Sequence, residues 1–158
     1  PVRDVSDLWK SFYRPVYLCL LMTHKIVTGR YVSVAIDPLR APLFKVFEML
    51  LQIPSEDILT YPKLRKTYFA LIGDLFERST NVFQHMDTPS FLKLCESLQA
   101  AVRHSHINRL MTNRALGAID RLSSSMDNFA HHFSNTDMIP RMASMVWSLC
   151  LLDSRWNA

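Results

Sequence analysis

The sequence predicts an all-α protein, in which antiparallel helix pairs stack into a right-handed α-solenoid fragment. Three observations predict it. Glycine is scarce at 3 of 158 residues, under a third of the usual share of about 7%. That excludes folds built on Gly-cradled phosphate loops, Rossmann turns or turn-rich β sandwiches. Apolar residues recur at spacings of three and four along most of the chain. Proline-marked helix starts return at a near-constant interval.

Taken in order, Leu8, Phe12, Val16, Leu20 and Thr23 mark one face of a first helix. Pro15 either kinks it or delays its start to about Ser11. Gly29 ends it where a left-handed C-cap is favoured, and Tyr31 to Ile36 reads as an extended connection. Pro42 suits the first turn of the next helix, because its missing N–H is not needed there. Phe44, Phe47, Leu50 and Leu51 are its stripe, and Pro54 closes it. Ser55, Glu56 and Asp57 open a short capped turn carrying Ile58 and Leu59. Pro62 starts a helix with Leu64, Tyr68, Leu71, Ile72 and Leu75 inward. Asp74 and Arg78 then pair at i,i+4 on its wet side. It ends near Ser79 or continues with a break toward Met86.

The pattern then recurs. Asp87 caps a helix with Pro89 in its first turn and Phe91, Leu94, Cys95, Leu98 and Val102 as its stripe. After His104 and Ser105 comes a helix with Ile107, Leu110, Met111, Leu116, Ile119, Leu122 and Met126 inward. Thr136-Asp137 opens a last helix with Pro140 in its first turn, carrying Met138, Met142, Met145, Val146, Leu149 and Leu152. The starts at 42, 89 and 140 lie 47 and 51 residues apart, and those near 62 and 107 lie 45 apart. A period of about 45 with two helices per unit matches HEAT or armadillo-type arrays, with a plain helical bundle as the alternative. The chain divides into a lone helix over 5–28, helix pairs over 41–79 and 88–133, and a lone helix over 137–152. Solenoids end in caps with polar outer faces, yet the first and last helices here are among the most apolar. With Pro1 in place of an initiator Met, the chain reads as a segment of a longer solenoid, or as one that hides its ends in a dimer.

Composition narrows the function. Eighteen Lys and Arg against 14 Asp and Glu give a net charge of +4, which suits weak attraction to acidic partners. Cys19, Cys95 and Cys150 form no CxxC pair and read as reduced, intracellular and structural. The longest apolar run, Val16 to Met22, has 7 residues, against about 20 for a membrane span. No secretory signal is visible. His104, His106, His131 and His132 lack the Cys or acidic residue at ligand spacing that zinc requires, so no metal or cofactor is expected. No GxSxG or HExxH occurs, and Ser123 to Ser125 is a solvated helix weakness. The chain is not expected to be an enzyme; the enzymatic alternative would build a site from His104, His106 and Asp120. Of the basic residues, Arg114 and Arg121 share a helix face while Arg109 sits well round from them. Aromatics fall on apolar stripes instead of among cations, so nucleic acid is not the expected partner. Arg109, Arg114 and Arg121 are candidate contacts for an acidic protein partner. Met138, Met142 and Met145 share one side of the last helix and read as core filling, or as an adaptable surface if that side lacks a neighbour.

The run Leu50-Leu51-Gln52-Ile53-Pro54-Ser55-Glu56-Asp57-Ile58-Leu59-Thr60-Tyr61-Pro62-Lys63-Leu64 resembles the later repeats of exportin-7-like receptors of the importin-β superfamily. The likeness extends upstream through Gly29-Arg30-Tyr31-Val32 and downstream through Thr67-Tyr68-Phe69-Ala70-Leu71, then more loosely to Leu122-Ser123. It implies a HEAT-repeat solenoid that carries protein cargo through nuclear pores, shuttling between nucleus and cytoplasm. It implies Ran GTPase bound through repeats outside this segment, cargo on the concave side, and phenylalanine-glycine nucleoporins between outer helices. No Ran- or cargo-contacting motif carries over to any position here. A HEAT-type scaffold or assembly factor unrelated to transport is the alternative.

Overall fold

The computed structural model describes residues 12–29 and 37–152, and those residues form an all-α, HEAT-like stack. Its helices are α1 (Arg14–Thr28), α2 (Asp37–Leu50), α3 (Ser55–Thr60), α4 (Pro62–Arg78), α5 (Thr88–Arg103), α6 (Arg109–Ser124), α7 (Met126–Phe133) and α8 (Met138–Leu152). A 3-10 helix, Thr80–His85, follows α4. The chain lays these down in two layers. In one, α1 packs on α4 and α4 on α6; in the other, α5 packs on α8; α2 closes on α1, and α5 on α6.

Within the first layer α1 and α4 run parallel. Near their starts Tyr13, just before α1, sets its ring 4.7 Å from that of Tyr61, just before α4. Near their ends His24 of α1 meets Asp74 of α4. Two contacts about three turns apart, in the same order on both helices, fix the direction. The core runs between the layers. Leu64, Tyr68, Leu71 and Leu75 of α4 and Phe91, Leu94, Cys95 and Leu98 of α5 all lie fully buried in one core. Tyr68 donates to Ser97 Oγ at 2.8 Å, and Ser97 donates to the Leu94 carbonyl at 2.7 Å. The buried phenol is therefore satisfied instead of stranded.

Local chemistry explains most boundaries. Pro62 and Pro89 occupy first turns as the sequence indicates. Asp87 caps α5 by accepting from the Ser90 N–H at 2.9 Å, and that bond holds its carboxyl below the usual range. Asn108 caps α6 in the same way through the Met111 N–H.

Several expectations are corrected. The first helix begins at Arg14, with Pro15 in its first turn instead of kinking it. Gly29 is extended, with φ −66° and ψ 153°, and forms no left-handed cap; its N–H reaches the Lys25 and Ile26 carbonyls. Glycine still suits the site, because a Cβ there would sit 3.2 Å from both oxygens. Pro42 lies inside α2, which begins at Asp37; a proline beyond the first turn forfeits one backbone bond. On α6, Leu110 is 57% exposed and Ile107 just before it is also exposed, while Thr112, Ala115 and Ala118 are buried. Small side chains let α6 approach its neighbours closely, so its inner face is not its most hydrophobic one. That helix also ends at Ser124, and Met126 begins a separate one. Leu8, the extended Tyr31–Ile36 connection and the side chains of Leu149 and Leu152 lie outside the described residues.

Candidate functional site

Asp74 organises the first layer. It is buried near the end of α4, where Oδ2 lies 2.6 Å from His24 Nε2 of α1 and Oδ1 accepts from Arg114 Nη1 of α6 at 2.8 Å. One carboxylate thus ties three successive helices. The expected surface pairing of Asp74 with Arg78 does not form, because the carboxylate is turned into the layer. A buried carboxylate needs charged or hydrogen-bonding partners to offset its desolvation, and they come from positions 50 residues before and 40 after it.

Arg114 reaches Asp74 by lying across Gly73. A Cβ on Gly73 would meet Arg114 Cδ at 3.0 Å, so glycine is what lets the guanidinium pass. Beside this crossing opens a polar groove of about 320 Å³, walled by Gly73 and Glu77 of α4 and by residues of α6 that include Asn113, Arg114, Gly117, Asp120 and Arg121. Gly117 keeps it open, since no atom lies within 4 Å of where its Cβ would be.

The structure therefore brings Arg114 and Arg121 to one groove and leaves Arg109 outside it. Arg114 is 40% exposed at its side chain and already paired. Arg121 is exposed and holds no ion pair among the described residues. Arg109 is exposed at the first residue of α6. Two guanidinium groups, an amide and the carboxylates of Glu77 and Asp120 can grip the polar side chains and backbone of a protein segment, with the forked donors suited to carboxylates. Asp74, Gly73 and Glu77 were not among the predicted site residues. Only the close pairing of Gly73 with Asp74 in sequence hinted that something passes over the helix there.

The histidines do not form a site. His104 and His106 stand in the α5–α6 turn with ring centroids 6.0 Å apart, and His104 Nδ1 lies 2.9 Å from the Ala100 carbonyl. Asp120, the third member of the enzymatic alternative, lies about 16 Å along α6 from its first residue at about 1.5 Å per residue, so the three do not converge. No cluster of three His, Cys, Asp or Glu among the described residues could hold a metal. His132 is buried instead, stacked on Phe91 at 4.4 Å, with Nδ1 2.9 Å from Thr88 Oγ1. Burial, and then the neighbouring His131, push its pKa below the usual 6.5. Burial, helped by Glu96, pushes the Cys95 thiol up to about 12. A thiol in that state is a packing group, because the thiolate is the nucleophile. No helix among the described residues is long and apolar enough to cross a membrane.

The comparisons with known proteins agree with this architecture. Residues 16–141 match the family described as CRM1 C terminal. No curated protein and no solved structure matches. The family match reaches past both limits of the sequence likeness, taking in most of α1 at one end and the start of α8 at the other. It spans both layers of the stack, and the chain belongs to the CRM1 C-terminal family, a domain of importin-β and exportin-type transport receptors.

Proposed function

We propose that this chain is a protein-binding stretch of an exportin-7-like nuclear transport receptor, acting in Ran-dependent movement of protein cargo between nucleus and cytoplasm. The family match over residues 16–141 carries the reading, and the stacked parallel helices give it a physical means. The helix pairs act as repeat units, so the segment bends through small changes at each interface. Ran-GTP, bound through repeats elsewhere, and cargo each favour particular curvatures, which links their affinities. Arg109, Arg114 and Arg121 face the partner from α6, Arg121 most openly. Phenylalanine-glycine nucleoporins are met between helices of the other layer. The chemistry is recognition and release, with no bond made or broken.

A receptor carrying this segment retains GTP-loaded Ran over GDP-loaded Ran in a pull-down, while the segment alone retains neither state strongly. Equal retention of both nucleotide states by the receptor, or retention of neither, would leave a helical scaffold unrelated to transport.

A further inference from the structure

The burial pattern of α4 repeats on both its neighbours. Met111, Ala115, Ala118 and Leu122 of α6 each stand 47 positions after a buried residue of α4: Leu64, Tyr68, Leu71 and Leu75. On the other side, Leu20 and Val27 of α1 precede Tyr68 and Leu75 by 48 positions. Two short connections, 79–87 and 104–108, reverse the chain twice, so α6 runs in the direction of α4. Helices that bury the same positions turn the same positions to water. Leu18, Lys66 and Asn113 are therefore equivalent, and one turn further so are Met22, Ala70 and Gly117. Five of the six are exposed and Ala70 is half-buried. They make two rows across the face of the first layer that looks away from the second. Neighbouring axes lie about 8–10 Å apart, so each row spans about 16–20 Å.

This face stays open where the stack is complete. α4 packs on α1, α5 and α6, and Lys66 is still exposed. A further helix beyond α1 would lie against Ile26, the counterpart of the Asp74 that α1 meets through His24. It would leave Leu18 and Met22 in water, as α1 leaves Lys66. What covers them comes from outside the run of stacked helices. The second row steps down from Met22 through Ala70 to Gly117, where no atom lies within 4 Å of a Cβ position. Arg114 closes one side of that step, crossing Gly73 to Asp74 with its side chain 40% exposed. Lys66 stands on the other side, one turn before Ala70, and Lys63 one turn before that. Both lysines are exposed and hold no ion pair among the described residues. The carboxylates of Glu77 and Asp120 lie further along α4 and α6, beside Arg121. The chemistry thus changes along the rows, from two large apolar side chains on α1 to cations around a floor of small residues.

We propose that this face binds an acidic segment of a partner protein, with apolar side chains seated on Leu18 and Met22 and carboxylates over Ala70, between Lys66 and Arg114. A second copy of the chain carries the same net charge of +4, which opposes pairing through a basic face. Nucleic acid would call for exposed aromatics among the cations, and the rows offer Leu18 and Met22 instead. The proposal rests on the reading of the chain as a protein-binding segment and names the partner's chemistry. Its test involves neither Ran nor nucleotide, so its failure and that of the transport reading are told apart.

The probe is a fluorescent peptide of about 14 residues, leucine-rich at one end and glutamate-rich at the other, long enough to follow a row as helix or strand. Titrated into the chain and followed by anisotropy, it should bind saturably, and more weakly as salt rises. Met22→Glu and Lys66→Glu, both at exposed positions, should each weaken binding about tenfold or more. Gly117→Leu, which fills the floor, should do the same, while Lys93→Glu on the other layer should change nothing. A peptide with lysine in place of glutamate should prefer the Lys66→Glu chain to the wild type. Far-ultraviolet spectra check that each variant folds. Absence of saturable binding, or binding indifferent to both Met22→Glu and Lys66→Glu, overturns the proposal. Binding by this chain that a longer receptor carrying it lacks would make the receptor's own chain the occupant and overturn it too. Tighter binding of a single-stranded oligonucleotide at the same residues, or self-assembly in sedimentation velocity that Met22→Glu abolishes, would have the same consequence.

Discussion

Arg114 donates to Asp74 across the α4–α6 interface at 2.8 Å, from a residue 40 positions further along the chain. That contact sets the register of two neighbouring helices, and with His24 on the other carboxylate oxygen it locks a third. Asp74→Asn keeps the shape but removes the charge. It should lower stability by about 1–3 kcal/mol, the range for disrupting a buried, charge-assisted network with partly exposed partners. Urea unfolding should show a lower midpoint at unchanged slope.

The pair itself contributes less than the carboxylate does, because Arg114 is partly solvated. A double-mutant cycle with Asp74→Asn and Arg114→Ala should return a coupling of about 0.5–1.5 kcal/mol. Additive effects would show that the contact carries no energy of its own.

The helical glycines of α4 and α6 should respond in opposite ways to alanine. Gly117 faces open space inside α6, so Gly117→Ala should stabilise the chain by up to about 1 kcal/mol through helix propensity and the unfolded state. Calorimetry should record that as a rise in Tm of about 2–4 °C for a chain of this size. Gly73→Ala introduces a methyl 3.0 Å from Arg114 Cδ. It should gain nothing, because the arginine must shift off Asp74 to make room.

The two kinds of helix also mark what the sequence disclosed and what it hid. The inner faces of α4 and α5 were legible, because Leu64, Tyr68, Leu71, Leu75, Phe91, Leu94 and Leu98 are large, apolar and regularly spaced. The cap at Asp87 was legible because its partner is three residues away. The inner face of α6 was legible only in part, at Met111 and Leu122. Ala115, Ala118 and Thr112 carry little hydropathy and are chosen for close approach, while the more apolar Leu110 points outward. The start of α2 was hidden by a local preference for first-turn proline that the surrounding helix overrode at Pro42. The partners of Asp74 could not be read from the sequence, since each is at least 40 residues away. Arg114 and Arg121 were placed on one face from helical spacing alone, and the groove they share depends on a neighbouring helix that spacing cannot supply.

Acid should weaken the fold in two steps. His132 has a lowered pKa in the folded state, so the unfolded chain binds more protons below pH 6.5 and stability falls as pH drops from there toward the depressed value. Asp87, also lowered, contributes stability that is lost only further down, below the ordinary carboxylate range near 3.8. Melting temperatures between pH 7 and 5 should therefore slope downward with acid, and His132→Phe should flatten that slope. An unchanged slope would place the acid sensitivity elsewhere.

Thiol chemistry should separate the cysteines. Cys150 is exposed, Cys19 half-buried and Cys95 buried. At pH 8, Ellman's reagent should modify Cys150 first and Cys95 only when the chain unfolds, because its thiol is both inaccessible and held protonated. Prompt reaction of Cys95 in the native chain would contradict the packing of α4 against α5.

The central claim is that this stack of helices serves a receptor that crosses nuclear pores. Photobleaching the nucleus of cells expressing a fluorescent receptor that carries this segment tests it most directly. Nuclear signal should recover from the cytoplasmic pool, much faster than for an inert protein of the same size. Recovery no faster than that of the inert protein, or confinement to one compartment, would contradict it.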